Sequence, residues 1–247
     1  MHAILTYHSI DDSGSPVSVD EAAFRRHVTW LASGAVRVVR LGELPDLAPE
    51  VDAVALTFDD GFANFADRAW PLLKAHALPV TVFVVSEHVG RTNLWGGREA
   101  PGIPVLPLLA WDALGRLAGE GVTLGAHGRS HADLGPLRGE ALADETAGAA
   151  ERIAAETGRR PEAFAYPYGH WSPAAVAAVG RSYRWGCTTE HRLLAAREVP
   201  HRLPRLDAFY FRRSGLDGWG SAGFRTGVRI RGALRRIRAL ATAGRSA

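Results

Sequence analysis

One cysteine and one methionine occur among the 247 residues. A lone thiol, Cys187, cannot form an internal disulfide, so a disulfide-stapled scaffold is excluded and no oxidising compartment is implied. Cys187 falls in an expected strand and reads as a small core residue. Long apolar runs are also missing, and no window approaches the roughly 20 residues that a membrane span needs. Met1 to His8 hold neither a basic region nor the apolar stretch of a signal peptide, which sets a soluble cytoplasmic protein as the expectation. Charge of one sign is scarce. With 29 basic and 26 acidic residues the formal net charge is +3, too little for a polycation built around nucleic acid, and no such partner is expected. Internal repeats are absent, as are low-complexity linkers before the C-terminal tail.

What is present fits one large domain. The hydrophobic fraction of 47% can fill a sizeable core, and a single α/β barrel is often of this length. Apolar runs at 3–6, 36–39, 53–58, 80–85, 122–126, 163–166, 185–188 and 202–206 read as strands. Helices are expected at 20–33, 63–76, 111–119, 139–157 and 173–179, the last with Ser172 as N-cap and Pro173 at the first helical position. Repeated strand–helix units imply a parallel sheet. Seven to eight such strands predict an α/β protein of the distorted (β/α) barrel, TIM-like kind, with its site at the strands' C-terminal ends.

Chemically capable residues fall at those ends. Tyr7-His8 follows the first strand, Asp59-Asp60 the third, His127 the fifth, and Tyr166-Pro167-Tyr168-Gly169 closes the sixth. Two adjacent carboxylates at a strand tip repel unless a cation or proton lies between them. Such a pair allows one Asp to bind a metal and the other to handle protons. His127 and His131, four apart, can grip one ion on a helical turn. Alone that pair is weak evidence, because ten histidines in 247 residues produce it by chance. Joined to Asp60 it supplies two nitrogens and one oxygen with open positions, the layout of a catalytic metal site.

Thr57-Phe58-Asp59-Asp60-Gly61 followed by His127-x-x-x-His131 resembles the polysaccharide deacetylases, the NodB-homology group or carbohydrate esterase family 4. The resemblance runs over about residues 4–206 and includes Pro71-Leu72-Leu73-Lys74, Pro79 to Val84, and Phe164-Ala165-Tyr166-Pro167-Tyr168-Gly169. It implies a distorted (β/α) barrel and a divalent metal, of which Zn²⁺ suits the donor set. By the same resemblance Asp60, His127 and His131 are the metal ligands, Asp59 is the general base, and the Tyr168 N–H stabilises the oxyanion. Tyr166, Pro167, Trp171 and Trp185 are the candidate substrate-binding residues, with core packing the plainer alternative for the aromatic ones. Many members carry Arg in the third motif where Ala165 stands here, and Arg205 could hold Asp59 from another strand. The late Leu-x-His motif is not clear either. Tyr7-His8-Ser9 resembles the subgroup that includes poly-N-acetylglucosamine deacetylases, which makes His8 the candidate general acid and His201 its rival.

The implied activity is removal of an acetyl group from an N-acetylated amino sugar in a glycan or glycoconjugate. Two readings stand beside it: a deformylase or amidase acting on a lipid-linked, nucleotide-linked or natural-product substrate, and a catalytically silent carbohydrate binder. Trp95 lies in a long Gly/Pro-rich stretch up to Pro107 that reads either as a lid or substrate wall or as an irregular insertion. The catalytic barrel is expected to span 1–209 and a basic, partly helical tail 210–247. From Phe211 onward nine arginines face the single acid Asp217. Val228, Leu234, Ile237 and Ala241 are expected on one helical face, so peripheral membrane contact, docking on the barrel and disorder are all open.

Overall fold

The computed structural model describes the backbone of residues 1–243 and the side chains of residues 1–238. Its elements run β1 (His2–Tyr7), β2 (Ser9–Ile10), β3 (Ser18–Val19), α1 (Glu21–Ala32), β4 (Arg37–Val39), β5 (Ala53–Phe58), α2 (Trp70–Ala75) and β6 (Val80–Val84). After these come α3 (Trp111–Gly119), β7 (Thr123–Ala126), α4 (Gly139–Ala143), α5 (Ala149–Thr157), β8 (Ala163–Ala165), α6 (Pro173–Ser182), β9 (Trp185–Cys187), β10 (Leu206–Asp207) and α7 (Ala222–Ala243). A π-helical turn, Asp144–Gly148, joins α4 to α5, so the expected helix over 139–157 is one rod with a wide turn in its middle.

The helices form where local chemistry favours them. Asp20 caps α1 by accepting from the Ala23 N–H at 2.8 Å, and Ala23, Phe24, His27, Val28 and Leu31 make its buried face. Ser172 caps α6, with Pro173 at the first position as the sequence predicts. Gly158 ends α5 in the left-handed conformation.

The main sheet is parallel, in the order β10-β1-β5-β6-β7-β8-β9. β4 pairs with the first half of β5, and β6 pairs with its second half. The sheet curls until Leu203 forms an isolated parallel bridge with Cys187 on one side while Leu206 pairs with Leu5 on the other. Segment 203–207 is thus the seam of the barrel. The strand expected at 202–206 is cut to two residues because this segment changes partner there, and Pro204 offers no N–H.

Two apolar layers follow from the two-residue period of the strands. Val54, Leu56 and Phe58 of β5 face the helices, whereas Ala53 and Ala55 face the barrel interior. The interior is small: Ile4, Phe83, Ala163, Ala165, Cys187 and Leu203 share it, Val39, Leu41 and Leu44 extend it, and Trp185 lies at the far end from the strand tips. Phe83 occupies its centre, and a Cβ at Gly125 would come within 2.4 Å of that ring, so only glycine fits there. The inward register of 53, 55 and 57 carries on to Asp59, which the sheet therefore delivers into the barrel mouth.

Candidate active site

Asp59 continues the inward face of β5 and meets Arg205, which rises from the seam on the inward face shared with Leu203. The guanidinium grips both carboxylate oxygens, Nη1 to Oδ1 at 2.6 Å and Nη2 to Oδ2 at 2.7 Å. Arg205 is 1% exposed, and its remaining donors reach the Thr188 carbonyl at 3.0 Å and the Thr6 hydroxyl at 3.0 Å. Burial by itself would raise the Asp59 pKa. The Arg205 charge outweighs it, aided by His127 and the two hydrogen bonds, and holds the carboxyl well below the usual range. His8 follows β1 and places Nε2 3.9 Å from Asp59 Oδ2, the oxygen that His127 Nε2 also approaches at 3.9 Å.

Asp60 turns the other way. Its φ of 70° is in the left-handed region, as are His131 at 66° and Tyr168 at 59°. Four non-glycine residues adopt positive φ among the described residues, and three of them are in this site. Strain of this kind persists only where the surroundings enforce it. The result is one cluster: Asp60, His127 and His131 offer ligand atoms that all lie within 4.8 Å of one another. Asp60 Oδ1 is 3.5 Å from His127 Nε2 and 3.4 Å from His131 Nε2.

This cluster fits a metal ion. His127 donates from Nδ1 to the Ala165 carbonyl at 2.8 Å, which fixes the tautomer and leaves the Nε2 lone pair facing Asp60. Burial pushes the His127 pKa down to about 4, so the ring is neutral at ordinary pH. Asp60 Oδ1 is buried and has no hydrogen-bond partner. A buried carboxylate oxygen without a donor is costly, and a divalent ion is the species that would satisfy it beside two imidazole nitrogens.

Two further residues border the site: Glu145, which the sequence did not single out, and Trp95, which it did. Glu145, buried on the π-helical turn, accepts the N–H groups of Arg129 at 2.9 Å and Ser130 at 3.1 Å, together with the Ser130 hydroxyl. One carboxylate thereby holds the loop that joins His127 to His131. A glutamate in the middle of an Ala-rich helix carries no local sign of this role; only the wide turn that aims it inward does. Trp95 stacks on the His131 ring with centroids 4.4 Å apart and planes at 21°. Its loop is pinned by buried Asn93, which bonds the Pro104 carbonyl at 3.0 Å and the Leu106 N–H at 2.8 Å. Trp95 thus lies directly against His131.

The remaining expected residues divide. Tyr168 is half exposed and meets the His131 ring edge-on at 4.7 Å. Pro167 is buried near Gly128, behind the histidine loop. Tyr166 does not reach the mouth: its ring lies in the outer layer with Phe164, and its hydroxyl donates to the His201 carbonyl at 3.0 Å. Phe164 and Tyr166 take the outward positions of the alternation while Ala163 and Ala165 take the inward ones. Trp185 begins β9 and therefore sits at the opposite end of the barrel. Trp171 lies under the Arg202 guanidinium at 3.6 Å and packs against the outer layer. The His201 ring packs on Gly180 of α6.

A family profile described as polysaccharide deacetylase matches residues 47–182, more than half of the chain. YxkH of Bacillus subtilis, whose name carries the same family term, is 24% identical over 193 residues, which are 76% of this chain and 64% of that protein. The Escherichia coli poly-beta-1,6-N-acetyl-D-glucosamine N-deacetylase is 30% identical over 84 residues, 30% of this chain and 12% of that protein. The chain thus spans less than two thirds of the length of these curated relatives. Among solved structures, IcaB from Ammonifex degensii superposes with a TM-score of 0.70 at 21% identity, covering 85% of this chain and 94% of that one. The Streptococcus pyogenes deacetylase PplD gives 0.70 at 20% identity, covering 83% and 91%. These likenesses establish the curled barrel.

Proposed function

Because the chain belongs to the polysaccharide deacetylase family, we propose that it hydrolyses the N-acetyl amide of an N-acetylated amino sugar, releasing acetate and a free amine. One observation carries this reading: Asp60, His127 and His131 converge with an unpartnered Asp60 oxygen, next to an Asp59 that Arg205 keeps ionised. The names of the relatives support an amino-sugar glycan as the substrate class.

Asp60, His127 and His131 would hold a divalent ion, and two imidazoles with one carboxylate suit Zn²⁺. Such an ion supplies Lewis acidity toward the amide carbonyl and lowers the pKa of water. Asp59 takes a proton from the attacking water at Oδ2, the oxygen turned toward His8 and His127. Arg205 makes Asp59 a weak base and a fixed one, so this carboxylate serves only a water more acidic than bulk water. The Tyr168 N–H, presented by its left-handed turn, is the donor assigned to the oxyanion that forms as water adds to the carbonyl carbon. When the C–N bond breaks, His8 gives the leaving nitrogen its proton. Trp95 and Tyr168, both in contact with the His131 ring, offer flat faces for a sugar ring.

The test is acetate release from N-acetylated glucosamine oligomers by metal-loaded protein, with Asp59→Asn in parallel. Acetate from the wild type and none from the variant is the expected result. Equal release from both would remove Asp59 from the chemistry. No release from either, with one equivalent of metal bound, would transfer the reading to another acyl group. Oligomer binding without turnover of any acyl sugar would leave the silent-binder reading.

A further inference from the structure

α7 carries six arginines, Arg225, Arg229, Arg231, Arg235, Arg236 and Arg238, and no acidic residue. One face is docked on the barrel. Val228 is 3% exposed, and a Cβ at Gly232 would come within 2.4 Å of the His191 carbonyl oxygen. Arg231 donates to the Tyr210 carbonyl at 3.2 Å and lies over its ring at 4.4 Å, while Arg235 pairs with Asp207 at 3.3 Å. These contacts fix the rotation of the helix.

The opposite face is apolar. Ile230, Leu234 and Ile237, spaced i, i+4 and i+7, are 57%, 51% and 62% exposed. Val228 is not part of this stripe, contrary to the sequence expectation, because it points into the barrel contact. The Ala241 side chain and Arg245 lie outside the described residues. On the edge away from Arg231 and Arg235, the side chains of Arg225, Arg229 and Arg236 form no ion pair among the described residues. They line a cavity of about 500 Å³ whose apolar wall includes Leu193, Leu194 and Val228. Glu190 also borders it but is held by Arg192 and Arg202.

We propose that this face of α7 rests on an anionic phospholipid surface, with the aliphatic stripe in the headgroup–acyl boundary and the Arg225–Arg229–Arg236 row on lipid phosphates. Charge complementarity selects the occupant, since a row of unpaired arginines beside exposed aliphatic side chains matches lipid phosphates lying above acyl chains. A second copy of the chain fits less well. Three aliphatic side chains cover far less than the roughly 800 Å² per partner of a stable interface, and two such faces would bring arginines against arginines. No helix among the described residues is long and apolar enough to cross a membrane, so contact through α7 would be peripheral.

The experiment is co-sedimentation of the full chain with vesicles of phosphatidylcholine alone and of phosphatidylcholine with phosphatidylglycerol. Binding is expected only with phosphatidylglycerol present, and it should weaken as salt rises. Replacing Arg225, Arg229 and Arg236 together by Gln should weaken partitioning on the order of 100-fold. Ile230→Ser, Leu234→Ser and Ile237→Ser combined should abolish it, and the single Ile237→Glu should weaken it with an unchanged thermal melt. Three results would overturn the proposal: no binding to either vesicle, binding that survives both triple variants, or a dimer in light scattering that the stripe variant dissociates. Vesicle binding does not require turnover, so this test stands or falls apart from the hydrolase reading.

Discussion

Asp59 and Asp60 are neighbours in the chain, yet each oxygen of Asp59 has a guanidinium donor within 2.7 Å while Asp60 leaves Oδ1 buried without a partner. One side of the site is complete in the protein alone, and the other leaves a buried oxygen unpaired. The division follows from backbone geometry. Asp59 keeps the strand register and points into the barrel toward Arg205, whereas the left-handed turn at Asp60 swings the second carboxylate to the histidines. Identical side chains one residue apart therefore acquire opposite surroundings, one carboxylate held by a guanidinium and one with an unpaired oxygen facing two imidazoles.

The largest effect should come from breaking the complete side. Arg205→Met leaves the Asp59 carboxylate buried without its cation, and urea unfolding should show a loss of about 3–5 kcal/mol. A loss under about 1 kcal/mol would show that water or another donor replaces Arg205. The next comparison concerns which histidine attends Asp59. His8→Gln should lower kcat roughly 10²–10⁴-fold, whereas His201→Gln, whose ring packs on Gly180, should leave kcat near that of the wild type. Equal losses would return His201 to candidacy.

Loosening the open side should have a smaller effect. Glu145→Gln keeps one acceptor for the loop between His127 and His131 and should weaken metal affinity about tenfold, with Glu145→Ala toward 100-fold. Unchanged affinity in both, by competition with a chromogenic chelator, would reduce Glu145 to a helix residue. The smallest effect is the pH dependence of stability in metal-free protein. The folded-state pKa of Asp59 lies below its ordinary value near 3.8, so its contribution is present above that pH and is lost as pH falls toward the folded value. Wild-type stability should drop more steeply below that pH than that of Asp59→Asn, and parallel curves would contradict the pairing.

Much of this was legible in the sequence where the signal is local. Ala53–Phe58 reads as a strand and is one, and Trp111–Gly119 reads as a helix with the same bounds. The cluster Asp60, His127 and His131 was legible as a motif, and Arg205 as a replacement for the missing third-motif arginine. What was not legible depends on which face a side chain takes. Tyr166 and Trp185 are aromatic residues of the sheet, yet one faces the helices and the other sits at the far end of the barrel. Glu145 is set by its contacts with the loop at Arg129 and Ser130, and the two-residue strand β10 by pairing with β1 about 200 residues away, which no periodicity records.

The division between the two carboxylates is tested most directly by metal titration of the wild type, Asp59→Asn and Asp60→Ala, followed by calorimetry and by the shift in melting temperature. One equivalent is expected in the wild type and in Asp59→Asn, each with a raised melting temperature, and none in Asp60→Ala. Full binding by Asp60→Ala, or its loss in Asp59→Asn, would contradict the assignment of the open side to the metal.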